Sequence, residues 1–322
     1  MKRYLPLVAC AALCAPLPLL AQEAKTSPAP LEIVAAAKAD EWVAIEPANL
    51  LVMHLAPDSK GKPRRVVIQL IPAPFSQGWV GNIRKLAAAK WWDGTSINRV
   101  QDNYVVQWGD ATEKKTLSAG LVVVPEGEYV VRSLDQDSQS ALAVSAAQMA
   151  RATANSKMLQ RDVDSYSDQT YLHKGWPISN VVGVGLAPTH CYAMVGVGRN
   201  LSPDTGTGAE LYTVIGHAPR HLDRNIALVG RVIEGIEQLS SLPRGTGALG
   251  FYETEEDRVP ILSVRLGNET KDVPAFEYLS TDSESFAAYA DARANRRDPF
   301  FNVPAGGADI CNIPVPIRRT VK

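Results

Sequence analysis

The sequence predicts a mainly β fold, with a helix packed against a sheet and partly helical segments outside it. Residues 49–54 and 65–71 are rich in β-branched and aliphatic side chains and are separated by a polar turn at 58–61, which predicts a hairpin. Apolar side chains within residues 76–90 recur at the spacing of one buried helix face. Strand-like runs return after residue 189, so the β character continues into the second half of the chain.

Short strands are also predicted in the middle and in the second half of the chain. Residues 97–100 and 104–107 predict two strands close together, after a turn at Asp93 and Gly94. Four further strands are predicted at 191–195, 211–215, 227–229 and 259–266, and one short helix is predicted at 233–239. No sequence repeat recurs at a fixed period.

The main domain is predicted to cover residues 48–267, with additional segments at both ends. Residues 22–47 are rich in Ala, Pro, Glu and Lys, and we expect a linker that contains a short helix over 31–37. Residues 268–322 are expected to form a C-terminal extension with a helix over 283–296.

An insertion of about seventy residues is predicted within the main domain, at about 111–184. It contains a strand-like run at 121–124 and a helical pattern over 139–160 that Ser138 would cap. We therefore expect the insertion to be partly helical.

The first 21 residues have the pattern of a secretory signal peptide. Lys2 and Arg3 precede an apolar run over residues 4–20, and Ala21 offers a cleavage site. The run is short and contains three prolines, so no membrane span is predicted. A lipoprotein processing box at residues 7–10 is the alternative, but the apolar run continues well past it. We expect cleavage near Ala21 and a periplasmic or secreted protein.

The charge balance excludes some classes of partner. Removal of residues 1–21 takes away Lys2 and Arg3 and no acidic residue, so 31 of the 33 basic side chains remain against 34 acidic ones. This slightly acidic balance gives no reason to expect nucleic acid or an anionic membrane surface as a partner. The sequence indicates no particular oligomeric state.

Two of the four cysteines lie outside the predicted leader. Cys10 and Cys14 leave with the signal peptide, whereas Cys191 and Cys311 remain in an exported chain. Because exported proteins fold in an oxidising environment, we predict one disulfide between Cys191 and Cys311. The alternative is a pair of unpaired buried thiols.

Metal and cofactor binding have little support in the sequence. His190 beside Cys191, and His217 with His221, are the only candidate ligand groups. Scattered histidines are more often hydrogen-bonded loop residues than metal ligands. We therefore predict no metal and no cofactor.

Arg99 lies in the middle of a predicted strand and is followed at short distance by Tyr104, Val105 and Gln107. This segment, residues 92–110, resembles the catalytic segment of the cyclophilins, the peptidyl-prolyl cis-trans isomerases. Further matches in the family's order are found at 194–198, 209–212, 218–223 and 230–232. The resemblance covers residues 48–110 and 185–267. It implies a closed eight-stranded antiparallel β-barrel with two flanking helices.

The resemblance also implies a role for each matching residue. Arg99 and Gln107 match the catalytic arginine and the glutamine that steadies it. The residues that match substrate-binding positions of the family are Tyr104, Val105, Met194, Gly196, Glu210, Tyr212, His221 and Leu222.

This chain departs from the family's pattern at several positions of the site. Asn98 replaces the histidine that usually precedes the catalytic arginine, and Glu210 replaces a glutamine. Tyr212 replaces a phenylalanine, and Ile226 stands where many members have a histidine. His221 stands where some members have a tryptophan that binds cyclosporin. The departures imply reduced activity and weak sensitivity to that inhibitor.

Two of the substituted residues have alternative interpretations. Glu210 either pairs with Arg99 or accepts a hydrogen bond from a loop. Tyr212 adds a hydroxyl to an apolar floor, and this hydroxyl needs a partner if it is buried. Without the resemblance, Tyr104 and Tyr212 would be interpreted as packing on the barrel surface.

The predicted function is isomerisation of X-Pro peptide bonds in exported proteins, with proline-containing polypeptides as partners. The sequence lacks the usual hydrolase, phosphate-binding and metalloprotease motifs. An isomerase needs no nucleophile, because the obstacle is rotation about a partial double bond. The alternative of a different class is a catalytically weak chaperone or scaffold protein of the cell envelope. A secreted hydrolase has only the signal peptide in its favour.

Overall fold

The computed structural model describes residues 27–132, 134, 139, 164–271 and 273–320. The predicted leader, residues 1–21, lies outside this part of the chain, and so does the helix expected over 139–160 apart from residue 139. The described strands are β1 (Trp42–Ile45), β2 (Leu50–Leu55), β3 (Arg64–Leu70), β4 (Ser96–Val100), β5 (Val105–Gly109), β6 (Gln169–His173), β7 (Trp176–Val181), β8 (Gly185–Pro188), β9 (Met194–Val197), β10 (Leu211–Val214), β11 (Leu228–Glu234), β12 (Val259–Leu266), β13 (Phe276–Leu279) and β14 (Ile317–Arg319). The described α-helices are α1 (Pro30–Ala36), α2 (Gln77–Ala88), α3 (Glu237–Ser240) and α4 (Glu284–Ala294).

Eight strands form a closed antiparallel barrel in the order β10-β5-β4-β12-β2-β3-β11-β9, with β9 pairing back to β10. This confirms the predicted barrel and the hairpin formed by β2 and β3. Trp79, Ile83 and Leu86 of α2 are fully buried in the same core as the inward side chains of the strands. The helix therefore covers one end of the barrel, and the short α3 contributes buried Leu239 as the second flanking helix.

The segments before and after the barrel strands, residues 30–45 and 276–319, pack together. Strand β13 pairs with both β1 and β14 in a separate three-stranded sheet. Trp42, Leu172 and Leu279 share an apolar cluster that also takes in residues of α4. Within residues 22–47, expected to be a linker with a short helix, Pro30–Ala36 form a helix and Trp42–Ile45 form a strand of this sheet. The burial of Trp42 and Ile45 explains this difference.

The insertion contributes a β-sheet that the sequence did not predict. Strands β6, β7 and β8 form a three-stranded antiparallel sheet, and Trp176 and Ile178 of β7 join the main core. The strand expected at 121–124 is absent. Asn82 of α2 instead pairs with the backbone of Val122, donating to its carbonyl at 2.8 Å and accepting from its N–H at 2.9 Å. The helix side chain thus satisfies backbone groups that a strand partner would otherwise have engaged.

A disulfide joins Cys191 and Cys311, whose Cα atoms lie 5.1 Å apart. This confirms the predicted pairing. The bond connects the segment just before β9 to the C-terminal extension. Among the described helices, none has the length and apolar character needed to cross a membrane.

Candidate functional site

Arg99 lies on the outer face of the barrel because β4 contains a bulge. Ile97 and Val100 are both fully buried, although they are three positions apart and a regular strand would turn them to opposite faces. The pairing of β4 with β5 shifts register between Ile97 and Arg99. One extra residue in this strand therefore turns the Arg99 side chain outward, while Ile97 and Val100 remain in the core.

Three hydrogen bonds hold the Arg99 guanidinium, and none of their acceptors is a carboxylate. Its Nε donates to the carbonyl oxygen of Leu249 at 2.8 Å, its Nη1 donates to Gln107 Oε1 at 3.1 Å, and its Nη2 donates to Gln101 Oε1. Its central carbon lies 5.7 Å from the ring centre of Tyr104 and 5.4 Å from that of Phe251. Burial lowers the pKa of Arg99, yet an arginine remains charged at neutral pH.

No ion pair to Arg99 occurs among the described residues. Its positive charge is thus partly desolvated and not neutralised by a carboxylate. The guanidinium N–H groups that do not donate to these three acceptors can donate to a bound molecule.

An apolar cluster lies on the same outer face beside Arg99. Its buried members come from β5 and β10, and its partly exposed members come from the loops around them. The apolar cluster consists of Val105, Tyr212, Val214, Tyr104, Leu222 and Ile226. The ring of His221 lies almost parallel to that of Tyr104, with 6.5 Å between ring centres, at the edge of the cluster.

The arginine and the apolar cluster are connected by a row of residues across four strands. Arg99 lies opposite Gln107, Gln107 opposite Tyr212, and Tyr212 opposite Gly196. A Cβ at Gly196 would lie only 2.3 Å from the Tyr212 hydroxyl oxygen. The absence of a side chain at Gly196 therefore lets the tyrosine ring lie over β9.

The Tyr212 hydroxyl has the partner that its burial requires. Its oxygen lies 2.9 Å from His190 Nε2, and His190 Nδ1 lies 2.9 Å from Asp223 Oδ1. Burial raises the pKa of Tyr212 well above its ordinary value, so the hydroxyl stays protonated. His190, one of the candidate metal ligands, thus belongs to a hydrogen-bonded group, and Cys191 is in the disulfide.

Glu210 lines a cavity of about 610 Å³ together with Arg99 and Gln107. Its Oε1 accepts a hydrogen bond from the backbone N–H of Asp110 at 2.7 Å. Of the two alternatives for this residue, the structure therefore contains the bond to a loop and no pair with Arg99. Burial raises the pKa of Glu210 to about 7.

Most of the predicted site residues lie together, and one does not. Met194, predicted as a substrate-binding residue, is buried in the main core cluster and is not a member of the apolar cluster. It precedes Gly196 by two residues, which places it about 7 Å along the strand from the row across the site. Asn98 is buried at the bulge beside Arg99.

Three residues of the site were not predicted from the sequence. Val214 could have been found, since it follows Tyr212 by two residues on the same strand and so shares its face. Gln101 and Phe251 contact Arg99 from a turn and from a segment about 150 residues away, and neither carries a local sequence signal. Among the described residues, no group of histidine, cysteine, aspartate and glutamate side chains could hold a metal ion.

The fold and the site can be compared with known proteins. A family model described as cyclophilin type peptidyl-prolyl cis-trans isomerase/CLD matches residues 65–266. No curated protein sequence matches the chain. Among solved structures, the chain is similar to cyclophilin AquaCyp293 from Hirschia baltica, with a TM-score of 0.62 and 20% identity over 87% of this chain and 95% of that chain.

A Cryptosporidium parvum cyclophilin type peptidyl-prolyl cis-trans isomerase matches 67% of this chain and 97% of its own, with 10% identity and a TM-score of 0.37. The family model spans more than half of the chain, and the closed barrel is the fold of its solved relative from Hirschia baltica. The protein therefore belongs to the cyclophilin-type family of peptidyl-prolyl cis-trans isomerases and is an enzyme of that type.

Proposed function

We propose that this isomerase acts on exported polypeptides and that Arg99 stabilises the twisted transition state of an X-Pro bond held in the apolar cluster. The observation that carries the mechanism is the position of Arg99 beside the apolar cluster, as a partly buried cation without an acidic partner among the described residues. The chemistry requires no nucleophile and no metal.

The barrier to rotation about a peptide bond comes from amide resonance and is roughly 18–20 kcal/mol for ordinary peptide bonds. As the bond twists, the proline nitrogen becomes pyramidal and its lone pair becomes a hydrogen-bond acceptor. An Arg99 N–H group directed at this nitrogen forms a bond that is absent in the planar ground state. Such a bond accelerates the reaction, because it is stronger in the transition state than in the substrate.

The apolar cluster holds the proline ring while the rest of the bond rotates. Val105, Tyr212 and Leu222 offer aliphatic and aromatic surface to the ring, and the ring centre of Tyr104 lies 5.7 Å from the Arg99 guanidinium carbon. Gln107 fixes the guanidinium by accepting from Nη1. Positioning of this kind is effective only if the donor and the reacting nitrogen are held in a fixed geometry.

Export of the protein is supported by the signal-peptide pattern of residues 1–21 and by the disulfide between Cys191 and Cys311. Newly exported chains are suitable substrates, since uncatalysed X-Pro isomerisation takes tens of seconds or longer and can limit folding. The proposed location of the enzyme is the periplasm or the outside of the cell.

The mechanism is tested by measuring exchange between cis and trans forms of an Ala-Pro peptide by NMR. We expect Arg99→Ala to lower kcat/KM by about 100-fold, in the range observed for loss of one transition-state donor. Arg99→Lys keeps the charge but loses the fixed fork, so it should recover only a small part of the rate. An unchanged rate in Arg99→Ala would contradict the mechanism. Peptide binding without turnover by the wild type would favour the chaperone or scaffold role.

A further inference from the structure

Four buried side chains form a continuous hydrogen-bonded chain that begins at the floor of the proline pocket. Tyr212 Oη lies 2.9 Å from His190 Nε2, His190 Nδ1 lies 2.9 Å from Asp223 Oδ1, and Arg220 Nε donates to Asp223 Oδ2 at 2.6 Å. These residues are between 0% and 5% exposed. A buried polar chain of this length is stable only if every link is made, so each member constrains the next.

The direction of the hydrogen bonds follows from the carboxylate. Asp223 Oδ1 also accepts from the backbone N–H of His190 at 2.9 Å. An ionised carboxylate only accepts, so the hydrogen-bond pattern assigns the ring proton to His190 Nδ1. His190 Nε2 is then left to accept from the Tyr212 hydroxyl, which fixes both the tilt and the rotation of the tyrosine ring.

The same chain holds the wall of the pocket. Leu222, a member of the apolar cluster, lies between Arg220 and Asp223 in the sequence. A tight turn at Arg220–Leu222 precedes Asp223, whose backbone N–H donates to the Arg220 carbonyl at 3.0 Å. Asp223 therefore connects the turn that carries Leu222 to His190, and His190 connects Asp223 to Tyr212 at the floor of the pocket.

The far end of the chain reaches residues outside the barrel. Arg220 Nη2 donates to Asp164 Oδ2 at 2.6 Å, and its Nη1 lies 3.6 Å from Asp309 Oδ2. The ring of Tyr166 lies 5.3 Å from the guanidinium carbon. Asp164 precedes the sheet of the insertion, and Asp309 belongs to the C-terminal extension, so both additions contact one buried arginine of the pocket loop.

We propose that His190, Asp223 and Arg220 are positioning residues that set the distance between floor and wall of the proline pocket, and that Asp164 and Asp309 hold Arg220 in place from outside the barrel. The inference rests on the proposed use of the apolar cluster as the proline pocket. It gives the insertion and the extension a role in substrate binding although neither contributes a side chain to the apolar cluster.

The alternative is a chain that only satisfies a buried hydroxyl and stabilises the fold. Asp223→Asn separates the two, since it keeps the size of the side chain but cannot accept from His190 and Arg220 as a carboxylate does. The matched control is Asp93→Asn, because Asp93 is likewise a carboxylate bonded to an arginine, and it accepts two hydrogen bonds from Arg265, each at 2.7 Å. Neither residue of that pair belongs to the apolar cluster.

The readouts are the Kd of an Ala-Ala-Pro-Phe peptide by calorimetry and its kcat and KM by NMR exchange, at a temperature where circular dichroism shows both variants folded. Loosening the pocket weakens binding of the proline ring in every state, so we expect Kd and KM to rise at least about fivefold in Asp223→Asn. The control should stay within about twofold of the wild type for both quantities, since its ion pair lies outside the apolar cluster.

Wild-type Kd and KM in a folded but less stable Asp223→Asn would overturn the proposal and leave a stabilising role alone. If Asp223→Asn does not fold, Tyr212→Phe decides, since it retains the ring and removes only the link to His190. The proposal then requires at least about a threefold rise in Kd, because the ring loses its fixed orientation. Unchanged or tighter binding would overturn it. The Kd measurement needs no turnover, so failure of the isomerase mechanism is seen separately, in the wild-type rate.

Discussion

Gln107 lies directly opposite Arg99 in the pairing of β4 with β5 and accepts a hydrogen bond from its Nη1 at 3.1 Å. The bulge at Ile97 and Arg99 creates this relationship, because it turns the arginine to the face that carries Gln107. The amide orients the guanidinium without neutralising it. This combination leaves a fixed and uncompensated positive charge beside the apolar cluster.

Gln107→Ala should lower kcat/KM by about tenfold, since the guanidinium loses one of its three fixed acceptors but keeps its charge. Gln107→Glu should have a larger effect, because a carboxylate at this position would pair with Arg99 and cancel the charge that the transition state needs. Both values can be measured by NMR exchange on an Ala-Pro peptide.

Gln238→Ala is the control for the two Gln107 variants. Among the described residues, the Gln238 side chain forms a hydrogen bond only with Glu237, its neighbour on the short helix α3. The rate of the control should equal that of the wild type. If Gln107→Glu were as active as Gln107→Ala, the charge of Arg99 would not be the property that matters.

The pH dependence of stability should reveal the buried carboxyl of Glu210. Burial raises its pKa from 4.5 to about 7 in the folded protein. Between these two values the folded protein retains a proton that the unfolded chain releases, so the free energy of unfolding falls as pH rises through this window. The loss is roughly 3 kcal/mol and is complete above the folded-state pKa.

Glu210→Gln removes this titration while its side-chain oxygen can still accept from the Asp110 N–H. We therefore expect the stability of the variant, relative to the wild type, to increase between pH 5 and pH 8 in urea unfolding. Asp93→Asn is the contrasting variant. Hydrogen bonds from Arg265 lower the pKa of Asp93 below 3.8. The difference in free energy of unfolding between Asp93→Asn and the wild type should therefore stay constant between pH 5 and pH 8. A constant difference for Glu210→Gln would show that the carboxyl titrates normally.

The resemblance to the cyclophilins implied the barrel and the residues of the site, whereas local patterns predicted individual strands and helices. The β-branched runs of β2 and β3 and the buried face of α2 occur as expected. Alternation alone, however, would place Ile97 and Arg99 on the same face. The bulge separates them, and it results from pairing with β5 rather than from any turn residue in β4.

The features that could not be predicted depend on distant partners. Trp42 is buried because β1 pairs with β13, more than two hundred residues later. His190 carries no sequence sign that its two ring nitrogens face Tyr212 and Asp223. A short apolar segment or a single histidine acquires its role only when the complete fold brings its partner close, and local composition does not contain that information.

Gly196→Ala should disturb the pocket without a change at Arg99. The new Cβ would lie 2.3 Å from the Tyr212 hydroxyl oxygen, so either the ring or strand β9 must move. His190 holds the hydroxyl and limits the movement of the ring. We expect the KM for an Ala-Pro peptide to rise several-fold, because the displaced ring no longer forms a continuous apolar surface with Val105 and Leu222.

Gly81→Ala provides the matched control for this substitution. Gly81 lies inside α2, and a Cβ there would meet no atom within 4 Å. The control should therefore leave KM unchanged and raise stability by about 0.5–1 kcal/mol, as expected when alanine replaces glycine within a helix. A Gly196→Ala protein with the KM of the wild type would mean that the tyrosine ring can shift without cost to substrate binding. Binding of the proline ring would then depend on Val105 and Leu222 rather than on the position of Tyr212.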